Sequence, residues 1–94
     1  MDKFQNNRLA EPMDDIILLS DRYVGQGLKA GYIGVVVENL IEERGIVLAD
    51  FFNPLTGEDI AVQAEIKKED FRVKSSSAED KKIGKAFREL FRAK

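Results

Sequence analysis

The sequence contains no cysteine, no histidine and no tryptophan, and only two prolines in 94 residues. Each absence removes a class of function. Without cysteine there can be no disulfide, no thiol nucleophile and no thiolate metal site. Without histidine a Ser-His-Asp triad and a His-ligated zinc centre are both excluded, and general acid–base work would fall to carboxylates, lysines or tyrosines. No catalytic, cofactor-binding or metal-ligating set is therefore expected. No apolar run approaches the roughly 20 residues that would cross a bilayer, so no membrane span is expected either. Residues 1–12 lack the apolar stretch of a secretory signal, which points to a cytoplasmic protein.

What is present describes one small folded domain, with 44% hydrophobic and 34% charged residues. A chain of this length buries about 60–65% of its unfolded surface, so its core is modest and a deep enclosed site has little room. Residues 1–12 are polar and aperiodic and read as a flexible arm, with the compact part beginning at Met13. Ile16-Ile17-Leu18-Leu19 is a short apolar run suited to a strand covered on both faces. Gly25 and Gly27 mark an irregular loop that uses positive φ. Residues 32–40 read as a second strand, with Ile33, Val35 and Val37 on one face and Gly34, Val36 and Glu38 on the other. Gly34 inside it signals a bulge or a close backbone approach. After a turn at residues 42–45, residues 46–52 form a third strand that is largely apolar on both faces. Asn53-Pro54-Leu55-Thr56-Gly57 supplies turn chemistry. In the fourth strand, residues 59–66, Ile60, Val62, Ala64 and Ile66 should face inward. A tight turn at residues 67–70 leads to a closing strand at residues 71–73. Five strands in about 60 residues match the spacing of a small barrel.

Composition changes after a linker at residues 74–77. Ser76 with Glu79, or Ser77 with Asp80, can cap a helix over residues 78–94. Ile83, Ala86, Phe87, Leu90 and Phe91 recur at helical spacing and form one apolar stripe. This segment carries six basic and three acidic residues, a net of +3, whereas the rest of the chain has nine basic and fourteen acidic, a net of −5. An acidic body thus carries a basic amphipathic helix. The stripe of Ile83, Phe87, Leu90 and Phe91, edged by Lys81, Lys82, Lys85 and Arg88, is the candidate partner-binding surface. It should be covered by its own chain, a second copy in a homodimer, or another protein. Ile17 or Leu19, Val36 and Phe51 are the apolar positions expected to receive it, with the basic edge near the acidic body.

Three other features admit a chemical reading. Gly25-x-Gly27-x-x-Ala30 matches a relaxed dinucleotide-binding pattern, but a strand follows where a helix N-terminus would have to receive the pyrophosphate. The acidic pairs Asp14-Asp15, Glu42-Glu43, Glu58-Asp59 and Glu69-Asp70 lie near turns and read as solvated charge. Asp50, on a mostly apolar strand, could anchor a carboxylate–lysine site if buried, and reads otherwise as an edge-strand charge that discourages aggregation.

The stretch Gly27-Leu28-Lys29-Ala30-Gly31, followed by Gly34-Val35-Val36-Val37-Glu38, resembles the G-L-K-x-G-x-x-G-x-V-V-E pattern of an uncharacterised family of small bacterial proteins. Asp50-Phe51, Ile60-Ala61-Val62 and the segment from Ile66 to Arg72 fit the same layout. The resemblance covers residues 15–73 and implies a mainly β fold, a five-stranded SH3-like barrel, here extended by a C-terminal amphipathic α-helix. It implies no activity. The same stretch is similar to the glycine-containing loop of KOW modules in ribosomal and elongation proteins, which would imply RNA or protein binding on the barrel loops. Lys29 is the one cation in that loop; Tyr23 and Tyr32, which flank it, are candidate loop contacts but read more often as a packed corner than as a recognition platform. The acidic body argues against RNA. The expected function is a non-enzymatic protein-binding module, such as a small accessory or immunity-type protein. The alternative is a KOW-like nucleic-acid-associated module that uses the basic helix.

Overall fold

The computed structural model describes residues 10–92. Alternating and β-branched segments form five strands: β1 (Asp15–Leu18), β2 (Ile33–Leu40), β3 (Ile46–Phe52), β4 (Asp59–Lys67) and β5 (Phe71–Val73). A single helical turn, α1 (Ile41–Arg44), joins β2 to β3, and the long helix α2 (Ala78–Arg92) follows β5. The strands make one antiparallel sheet in the order β4-β3-β2-β1-β5. β4 and β5 are its edges, so the ladder of pairings is open. Because β5 returns to pair with β1, the start of α2 is delivered beside the first strand.

The pleat sends β1 and β2 residues to two different apolar layers. Ile16, Leu18, Val36, Val47, Ala49, Phe51, Ala64, Ile66 and Phe71 share one buried cluster on the inner face. Tyr23 and Leu28, from the glycine-punctuated loop, and Ala10 close it. Ala10 lies within the span expected to be a flexible arm, so the packed part begins at least three residues before Met13. The remainder of that arm, residues 1–9, lies outside the described residues. On the opposite face Ile17 is buried and pairs across the sheet with Ile33. α2 covers this outer layer.

Three expectations about which residues face inward are corrected. Val36 and Phe51, offered as receivers of the helix, belong to the inner core, and of the named set only Ile17 is buried on the outer face, between Ile33 and Arg72, which meet α2; Leu19 is exposed. Val62 is 59% exposed, while Ala61 packs against the core. The cause is a register shift: Ala49 pairs with Ala64 but Phe51 pairs with Ala61, and Gln63 between them takes φ +50°. That irregularity also explains Asp50. It is half-buried on an interior strand, not an edge, and its Oδ1 accepts the Gln63 N–H at 2.8 Å, satisfying a donor that the ladder no longer pairs. The bulge in β2 falls between Val36 and Glu38, and Gly34 instead shows the close approach, facing the ring of Phe51.

Candidate functional site

Two polar constellations fix the chain around α2, and a groove lies beside it. The first constellation seats the helix. Ser77 caps α2, its Oγ accepting the Asp80 N–H at 3.1 Å. Asp80 does not reach back to complete a capping box. Its carboxylate, 1% exposed, takes both guanidinium nitrogens of Arg72 at 2.6 and 2.9 Å, together with the Ser75 N–H at 2.6 Å and the Ser75 hydroxyl at 2.8 Å. Arg72 stands on β5 opposite Ile17, on the outer face. The residues expected to be a linker therefore bind the helix to the sheet. The Arg72 hydrogen bonds, then that of the Ser75 N–H, hold the Asp80 carboxyl well below the usual carboxylate range despite its burial. The same bond to Asp80 keeps the Arg72 guanidinium more firmly protonated.

The second constellation ties the first loop to the last turn. The Tyr23 hydroxyl donates to Asp70 Oδ2 at 2.7 Å and accepts the Lys67 N–H at 3.0 Å, with Arg22 3.6 Å from the same carboxylate. Asp70, expected in solvent, is buried. Burial pushes the Tyr23 hydroxyl up to about 12, with Asp70 adding to the rise and the Lys67 N–H opposing it. A raised value means that the hydroxyl's contribution is complete below its ordinary value near 10 and fades as pH climbs towards 12. Tyr23→Phe should cost about 1–3 kcal/mol, since it strips a donor from a buried carboxylate and an acceptor from a backbone N–H. Urea unfolding at neutral pH checks the cost. Repeating it above pH 10 should show the wild-type advantage shrinking.

The groove, of about 640 Å³, runs between α2 and the outer face of β2 and the β3–β4 turn. Ile33, Val35, Phe52, Pro54 and Phe87 line its apolar part. Lys81, Lys85, Arg88 and Arg92 line the helix side and Lys74 the linker side, against two carboxylates, Asp15 and Glu89. Phe87 is buried, its ring 5.1 Å from that of Tyr32 and 5.5 Å from that of Phe91. A Cβ added at Gly84 would meet Lys74 Cε at 3.5 Å and Ile33 Cδ1 at 3.7 Å, ordinary contact distances. Gly84→Ala should therefore raise stability by about 1 kcal/mol through helix propensity, read as a higher melting temperature.

The residues singled out from the sequence separate in space. Lys81, Lys85, Arg88 and Phe87 meet in the groove, and Ile83 and Phe91 are half-buried in the helix seat. Lys82 does not line the groove, and Leu90, counted in the covered stripe, is 56% exposed. The three loop residues make no common surface: Tyr23 is inside, Lys29 is in solvent and Tyr32 lies under α2. The basic edge was expected to meet the acidic body, yet among the described residues Lys81, Lys85 and Arg88 form no ion pair. Lys74, Arg92, Phe52 and Pro54 were not foreseen as part of the site. Arg92 could have been, because Lys81, Lys85, Arg88 and Arg92 keep the spacing of one helix edge.

Among the described residues there is no group of three or more carboxylates placed to hold a metal, and no helix is long and apolar enough to cross a membrane. Comparison of the chain with protein-family models, with characterised proteins and with solved structures finds no match.

Proposed function

We propose that the chain is a non-enzymatic protein-binding module of the cytoplasm, of the accessory or immunity type, and that it binds its partner in the groove beside α2. One observation carries this reading: a row of cations, of which Lys81, Lys85 and Arg88 form no ion pair among the described residues, borders an apolar floor that includes the partly exposed Phe52. Apolar surface next to unpaired charge is the composition of a recognition surface, since the first supplies affinity and the second orients the partner. Asp70 and Asp80, the buried carboxylates among the described residues, are both occupied by structural hydrogen bonds. Asp50 is occupied by a backbone N–H. These assignments favour binding over acid–base chemistry. We also propose that the sheet is an SH3-like barrel in a partly open form. In support, the inner cluster is buried, with partly buried Ile60, Ala61 and Val73 at its margin, although α2 lies on the other side, so the sheet must curl to cover much of its own core.

The basic row could equally attract phosphate, which is the KOW-like reading. A titration with mixed-sequence single-stranded RNA and duplex DNA at physiological salt distinguishes the two. Little binding below tens of micromolar is expected, because the chain outside residues 78–94 carries a net charge of −5 that opposes phosphate. Sub-micromolar binding that disappears when Lys81, Lys82 and Lys85 are neutralised would replace the protein-partner reading with the nucleic-acid one.

A further inference from the structure

The chemistry of the partner can be read from the groove, provided that the protein-binding reading holds. We infer that the groove takes a short acidic and apolar peptide segment, in which aromatic or aliphatic residues are interleaved with aspartate or glutamate. Lys81, Lys85, Arg88 and Arg92 recur at intervals of four, three and four residues, so they stand in one row along the helix. At 1.5 Å per residue the row is about 16 Å long. An extended peptide of about five residues spans that length. With Lys74 added, the groove holds five cations against Asp15 and Glu89, and so is locally positive on a chain whose net charge is −2.

That contrast selects among anions. A broad anionic surface, such as a membrane or a nucleic-acid duplex, would bring its charge against the acidic body as well as against the strip. A short acidic segment can meet the strip alone. Its apolar side chains have a place to go: Phe52 remains 37% exposed and adjoins Ile33 and Val35 on the floor. Of the cations, only Arg92 has an ion pair among the described residues, with Glu89 at 3.5 Å, and that pair is exposed and worth little to break. A carboxylate-bearing ligand would therefore gain pairings at almost no internal cost.

The test is a display selection of random 12-residue peptides against the full chain, with counter-selection against the folded double variant Lys85→Glu/Arg88→Glu. Both positions are exposed, so the variant should keep its melting temperature, and circular dichroism checks this. Enrichment of peptides rich in Asp or Glu alternating with Phe, Leu or Ile is expected. A synthetic copy of the leading peptide should bind about tenfold more weakly to the double variant and to Phe52→Ser, and more weakly with added salt. Groove-dependent peptides without acidic bias would overturn the inference while leaving the protein-binding reading intact. Acidic peptides that bind the double variant equally well would also overturn it, because their site would lie elsewhere. No enrichment at all would remove both.

Discussion

Replacing Asp80 by alanine should lower the stability of the domain by about 3 kcal/mol and its melting temperature by roughly 12–24 °C. The size follows from what the carboxylate holds. It is buried, and it satisfies two guanidinium nitrogens of Arg72 on β5 and the backbone N–H and hydroxyl of Ser75 in the connection to α2. Removing one member of a buried pair strands the other, which costs about 3–5 kcal/mol when the survivor is fully buried. The Arg72 side chain keeps 31% of its surface in water, so the lower end applies. Against a total of about 5–15 kcal/mol for a domain, the loss is large. Adding Arg72→Met to Asp80→Ala should cost little more, since the stranded charge leaves with it. Full additivity of the two losses would show that the pair is not coupled.

The same group sets an acid limit. Asp80 titrates below the usual carboxylate range in the folded state, so its contribution is complete above about pH 4 and is lost as pH falls further. Asp80→Asn should flatten that part of the stability profile, measured by urea unfolding from neutral pH down to about pH 2. The consequence extends to binding. Lys81, Lys85 and Arg88 are held over Ile33 and Val35 by a helix whose first turn is fastened through Asp80. A loosened first turn would separate the cations from the apolar floor, so peptide affinity should fall together with stability in the Asp80 variants.

The local elements were legible in the sequence because their signals are local. β3 and β5 follow the expected limits, the apolar stripe produces α2, and the choice between Ser76 and Ser77 as its cap resolves to Ser77. Of the two glycines expected to supply positive φ in the loop, Gly27 does so at +82°, whereas Gly25 sits in a short 3-10 turn and Gly31 takes the second positive φ, at +94°. What stayed hidden depends on contacts between distant residues. Asp70 looks like half of a solvated pair until Tyr23, 47 positions earlier, is folded against it. Asp80 looks like a helix-start charge, and nothing in its neighbourhood announces Arg72 on another element as its partner. The groove needs β5 to pair with β1, which brings α2 over β2 and opposite Phe52. The bulge at Gln63 carries no glycine to mark it, so the unbroken alternation of residues 60–66 in the sequence hides the position where the pairing breaks.

Gly34→Val should be the most disruptive single change on β2. A Cβ at this position would lie 2.7–2.9 Å from three ring carbons of Phe51, the residue directly opposite on β3. Phe51 is fully buried within the inner cluster and packs in a region also occupied by Val36, Val47 and Ala49, so its ring has no solvent into which to turn. Overpacking of this kind costs about 1–3 kcal/mol for Gly34→Ala, and the two further methyls of valine should take it to the top of that range or beyond. Phe51→Leu alone should also destabilise, because it leaves a void. Combined with Gly34→Ala, however, the smaller side chain makes room for the new Cβ, and the double variant should be at least about 1 kcal/mol more stable than the sum of the single losses predicts. Strict additivity in chemical unfolding would mean that the ring is not what excludes a side chain at residue 34. The strain would not stay in the core. Ile33 and Val35 flank Gly34 and point to the opposite face, where they form the floor beneath α2. A β2 pushed away from β3 at Gly34 would shift that floor against the cation row, so the Gly34 variants should weaken peptide binding even at temperatures where they remain folded.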